Sequence, residues 1–179
     1  MSIALIVISV ILWGASLWAC LQRRLLAPGL SYLALLALSF ARSADGYPLL
    51  PVNNVILTGW LCMTVVVMVA TTLQPEAERR SPAGAGYMTL GALAGMAVGL
   101  LGFTVAEGIG MRYSIMVIAT AAGVLFGYLM YGNTPAGRAA APGRRRFAGP
   151  LLAKGFPIAI AVMQLGVALV LVMAIYTKQ

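Results

Sequence analysis

Apolar runs separated by short charged or Pro/Gly-rich breaks occupy nearly the whole of this chain, and most are long enough to cross a lipid bilayer. A water-facing surface carries charge on about 25–35% of its side chains. Only 9% of these 179 residues are charged, and 61% are hydrophobic. The expected fold class is therefore all-α: a polytopic integral membrane protein, one transmembrane domain with minimal soluble mass.

A hydrocarbon core of about 30 Å takes roughly 20 helical residues at 1.5 Å each. Six segments are candidates, at 3–21, 25–41, 55–73, 87–106, 113–131 and 158–176. The second is interrupted early by Pro28 and Gly29 and closes at Arg42, so it reads as a short span or a re-entrant segment. The sixth is expected to begin directly after Pro157, a residue suited to the first turn of a helix.

The cations orient the segments, because Lys and Arg in short loops mark the cytoplasmic side. With six spans, Arg23, Arg24, Arg79, Arg80, Arg138, Arg144, Arg145, Arg146 and Lys154 share one side, against Arg42, Arg112 and Lys178 on the other. Five spans divide the same residues far more evenly. Six transmembrane helices with both termini outside are thus expected, with 132–155 as a basic cytoplasmic loop. The first segment lacks the basic residues that precede the apolar run of a cleaved signal, so it is expected to stay as an anchor helix.

The formal charge of +8 suggests nucleic acid at first sight, but nine of the twelve cations are accounted for as inward loop charges, and no nucleic-acid partner is expected. Anionic lipid headgroups are the expected contacts of Arg144, Arg145, Arg146 and Lys154. The chain has no histidine, which removes the commonest haem and transition-metal ligand and the usual general base. Cys20 and Cys62 fall at different depths and form no C-x-x-C pair, while Asp45, Glu76, Glu78 and Glu107 make no carboxylate cluster. Glycine pairs at 84–86 and 108–110 do not extend to a phosphate-binding pattern, and no Gly-x-Ser-x-Gly elbow occurs. No cofactor, metal or catalytic residue is expected.

What the sequence does contain is a packing pattern. Gly91, Gly95, Gly99 and Gly102 recur at spacings of four, four and three in the fourth segment, with Thr89 and Ala92 as further small positions; Ala119, Gly123 and Gly127 repeat the theme in the fifth. Hydrocarbon gives apolar helices no hydrophobic reason to associate, so they do so by van der Waals contact, which small residues permit by letting backbones approach. These two segments are expected to pack along their glycine faces. The first three, rich in Leu, Val, Ile and Met, show few small residues and are expected to face lipid. Three-helix halves of opposite orientation would match the plan of an inverted-repeat transporter, but no residue-level similarity links the halves.

Polar candidates are few. Arg42 and Asp45 lie in one expected outer loop, kinked by Pro48 and Pro51, and Glu107 and Arg112 in the other; together they form a candidate external charge cluster. Gln164 is the most distinctive polar residue inside a span, and an amide in hydrocarbon has to find a partner. No span carries a central Asp, Glu, Lys or Arg, which argues against a proton path. Trp and Tyr residues fall at several depths, with Tyr113, Tyr131 and Tyr176 near segment ends, where interfacial anchoring accounts for them. The expectation is a non-enzymatic membrane subunit that packs with other membrane proteins, in a bacterial inner membrane. The alternative is a small-solute or ion transporter or channel using the fourth and fifth segments and the outer loops, with Asp45 and Glu107.

Overall fold

The computed structural model describes residues 2–22, 25–41, 54–76, 84–101, 109–140 and 148–176. Most of the described residues are helical, with no strand among them: α1 (Ser2–Gln22), α2 (Ala27–Phe40), α3 (Asn54–Thr72), α4 (Ala85–Leu101), α5 (Ile109–Gly132) and α6 (Phe156–Tyr176). A short helix, Pro135–Ala140, follows α5, and a helical turn, Ala148–Pro150, runs through a π-turn, Leu151–Gly155, into α6. Among the described residues, four helical stretches are long and apolar enough to cross a membrane: Ile3–Gln22, Asn54–Thr72, Gly110–Gly132 and Leu151–Met173. Helices α2 and α4 are apolar but shorter, at 14 and 17 residues, or about 21 and 25 Å. The remainder of the expected fourth span, 102–106, lies outside the described residues.

Helix α6 is the axis on which the others assemble. It touches all five other long helices, and 72% of its membrane-length stretch is buried, against 22% for α1, α3 and α5. Two antiparallel hairpins flank it. In α1/α2, Ser9 meets Ala34 and Ser16 meets Ala27; in α4/α5, Gly91 faces Gly123 and Gly95 faces Ala119. As residue numbers rise on one helix they fall on the other, which fixes the direction. Helix α5 also runs antiparallel to α6, since Met116 lies against Gly166 and Val124 against Gly155.

Large apolar side chains cover the outside, among them Ile3, Val10, Ile11, Trp18, Val55, Val66, Leu90, Val98, Ile118 and Phe126. In water such a surface would aggregate; in a bilayer it is the face that meets lipid.

Several expected boundaries move. Pro28 and Gly29 do not break the second segment, because α2 begins at Ala27 and places Pro28 in its first turn, where the missing N–H has no helical partner to lose. Pro157 does not start the last helix either. The N–H of Phe156 bonds to the carbonyl of Leu151, five residues back. This wider turn precedes the proline, whose ring would crowd the fourth carbonyl behind it in a regular helix. Helix α5 begins four residues before the expected 113, so Arg112 lies inside a helix rather than in a loop. The expected loop 132–155 is helical over 135–140 and 148–155. Its first part is built by local bonds: Thr134 Oγ1 accepts from the Gly137 N–H, with Pro135 at the first helical position, and the Arg138 guanidinium donates to the Asn133 carbonyl at the end of α5.

Candidate functional site

The expected small-residue positions of α4 and α5 come together at backbone distance. A Cβ built on Gly91 would collide with the Gly123 carbonyl oxygen, one on Gly95 with that of Ala119, and one on Gly127 with that of Tyr87; the reciprocal Cβ on Gly123 would strike the Gly91 carbonyl. On Gly99 it would lie 2.7 Å from the Met116 Cα. The glycine hydrogens that take the place of these Cβ atoms thus point at carbonyls of the facing helix, a geometry of weak Cα–H···O contacts worth about 0.5–1 kcal/mol each. Gly102 lies outside the described residues. At the other end of the seam Gly84 has φ +80°, and a Cβ there would sit 2.9 Å from the Tyr131 ring. The rings of Tyr131 and Tyr87 are 5.8 Å apart and cover this end.

The α1/α2 hairpin holds a seam that the sequence reading did not anticipate. Ser9 Oγ donates to the Ala34 carbonyl at 2.6 Å and Ser16 Oγ to the Ala27 carbonyl at 2.8 Å, all four residues being buried. Ser31 Oγ reaches across to the Ala161 carbonyl of α6 at 2.8 Å. The expectation that the first three helices mainly face lipid therefore fails for the inner faces of α1 and α2. Small side chains there let the helices approach, and each hydroxyl finds a carbonyl acceptor.

Gln164 is fully buried at the centre of the bundle, and its Nε2 donates to Thr64 Oγ1 at 2.8 Å. Thr64 passes its own hydrogen to the Trp60 carbonyl at 2.7 Å. Gln164 Oε1 is buried with no hydrogen-bond partner, as is Trp13 Nε1. Thr71, Thr89 and Thr120 are also buried and bond back to carbonyls one turn earlier on their own helices.

The expected charge cluster is not assembled by what is described. Arg42, Asp45 and Glu107 lie outside the described residues; Arg112 is half-buried in the first turn of α5, and Gln164 lies at mid-bundle, so those two are apart. Arg144, Arg145 and Arg146 likewise lie outside the described residues. Lys154, expected to reach lipid headgroups from a loop, is only 5% exposed. It sits in the π-turn, which packs against α3, α4 and α5, so the helical path toward α6 carries it into the bundle. Cys20 is buried and Cys62 exposed on α3, in no disulfide. Among the described residues no three His, Cys, Asp or Glu side chains gather as metal ligands.

Grooves open on the surface between the described helices. One, of about 490 Å³, lies between α1 and α4, lined by Gly14, Leu17, Trp18, Gly86, Thr89 and Leu93 among others. The second, of about 550 Å³, lies between α3 and α5 over α6. Both linings are almost wholly apolar; the side chains in them that carry a polar atom are Thr89 and Trp18 in the first and Trp60 and Tyr113 in the second. No family model, curated protein or solved structure matches this chain.

Proposed function

We propose that this chain is a non-enzymatic integral subunit that packs with and stabilises other proteins in a membrane complex. It would cross a bacterial inner membrane six times with both ends outside, its basic loops meeting anionic headgroups in the cytoplasm. The observation that carries this reading is the use of the bundle's interior. Helices α4 and α5 meet backbone to backbone, and the hydroxyls described inside hold helices to each other or to themselves. The apolar exterior, with the groove between α1 and α4, offers the extensive surface on which membrane proteins pack together.

The transporter or channel reading needs a hydrated path to mid-membrane. Between α4 and α5 such a path requires breaking the glycine contacts along the whole seam. Purification from the native membrane in a gentle detergent, with mass spectrometry of the co-eluting proteins, tests the proposal. A stoichiometric set of membrane partners is the expected result. Elution alone, as a monomer or homo-oligomer, would remove the subunit reading and direct attention to flux assays on Asp45→Asn and Glu107→Gln.

A further inference from the structure

The groove over α6 has a shape that identifies what fills it. Its walls are Ile56, Gly59, Trp60 and Met63 of α3 and Gly110, Tyr113 and Val117 of α5; its floor is α6 from Ile160 to Leu171. On each wall these positions cover seven residue steps, about 10 Å, and on the floor eleven, about 17 Å. That length is close to one leaflet, half of a hydrocarbon core of about 30 Å. The walls end at Met63 and Val117, near the middle of α3 and α5, beside the bond from Gln164 to Thr64, and the floor continues one turn further to Ile160. A partner's spanning helix would need a groove running the full thickness; this one stops at mid-depth. Water is excluded by the apolar lining. The groove is continuous with the lipid-facing exterior, since Val55, Met63 and Met111 at its edges are exposed. Two glycines keep it open: a Cβ on Gly59 or Gly110 would meet no atom within 4 Å.

From this geometry we infer that the α3/α5 groove is a binding site for one acyl chain of a membrane phospholipid, from the leaflet at the N-terminal ends of α3 and α5. The chain lies along α6 with its terminal methyl near Thr64 and Gln164. Trp60 forms part of the site, and its ring meets that of Tyr113 edge-on at 6.4 Å between centroids. The inference rests on the chain spanning a membrane and not on its having protein partners.

Trp60 supplies the probe. Its side chain is 6% exposed whereas Trp18 is 62% exposed, so bulk lipid reaches Trp18 directly and Trp60 only through the groove. Trp60-only protein (W13F/W18F) and Trp18-only protein (W13F/W60F) would be reconstituted in phosphatidylcholine vesicles brominated at mid-chain, and their emission compared with that in unbrominated vesicles. The expected result is loss of Trp60 emission to the same extent as Trp18 emission. Filling the groove with Gly59→Leu, or separately Gly110→Leu, should restore the Trp60 signal, with the circular dichroism of each variant confirming the fold. Quenching of Trp18 without Trp60 would overturn the site, as would Trp60 quenching that survives both filling variants. Absence of quenching at both tryptophans would overturn the membrane-spanning premise and the site with it.

Discussion

The two hairpins of this bundle solve one problem by different chemistry. In α4/α5 the contact is made by the absence of side chains: glycines on both helices bring carbonyls against Cα–H groups with no side-chain hydrogen bond described between them. In α1/α2 the contact is made by small side chains that carry a donor, Ser9 and Ser16, each ending on a carbonyl of the facing helix. The first seam has no slack, because backbone cannot move aside for an added atom. A hydroxyl can be removed from the second and leave a void the size of one atom. Close packing without hydrogen bonds is therefore the more fragile to insertion, and hydrogen-bonded packing the more tolerant of deletion.

The comparison breaks most visibly at the glycines. Gly91→Leu or Gly123→Leu should cost at least about 3 kcal/mol, the upper range for overpacking, because the obstacle is a carbonyl rather than a side chain; reversible unfolding in detergent measures it. Gly84→Ala comes next, at about 1–2 kcal/mol, from the left-handed backbone at that position and the Tyr131 ring beside it. Removing both hydroxyls of the other hairpin in S9A/S16A should cost about 1 kcal/mol in all, on a scale of about 0.6 kcal/mol for each hydrogen bond between membrane helices. Gln164→Leu should cost no more than about 0.6 kcal/mol: it loses the bond to Thr64 but also removes the unpartnered Oε1. Gly14→Ala completes the series as a glycine outside any seam. Its Cβ meets nothing within 4 Å, so helix propensity alone should stabilise it by about 0.5–1 kcal/mol. A Gly14→Ala loss as large as that of Gly91→Leu would mean that glycine content, not contact, governs stability here.

How much of this could be read from the sequence follows from the same chemistry. Glycines every three or four residues on two neighbouring apolar segments have few uses other than close approach, so the faces that meet in α4/α5 were visible. Ser9 lies among isoleucine and valine, and Ala27, Ser31 and Ala34 sit in a run dominated by leucine, which hid most of the α1/α2 seam; the small residues Gly14, Ala15 and Ala19 around Ser16 were its one visible sign. Gln164 stood out as an amide in hydrocarbon, but twelve serines and threonines in the expected spans could have served as its partner, and spacing did not single out Thr64. Arg112 and Lys154 were misplaced for another reason. Hydropathy ends a segment at a charge, whereas a helix continues as long as its backbone bonds do, which carried both residues into helical turns. The candidate residues Arg42, Asp45, Glu107 and the arginines at 144–146 lie outside the described residues, so for them the sequence reading stands alone.

The most direct test of the account is a distance across the glycine seam in a bilayer. Val98 on α4 and Ile118 on α5 are both exposed and accept spin labels as V98C/I118C in a protein with C20S/C62S. Pulsed electron paramagnetic resonance in lipid vesicles should give one short, narrow distribution for this protein. Adding Gly95→Leu should lengthen and broaden it, because the new side chain meets the Ala119 carbonyl. An unchanged distribution after Gly95→Leu would contradict the claim that α4 and α5 are sealed backbone to backbone.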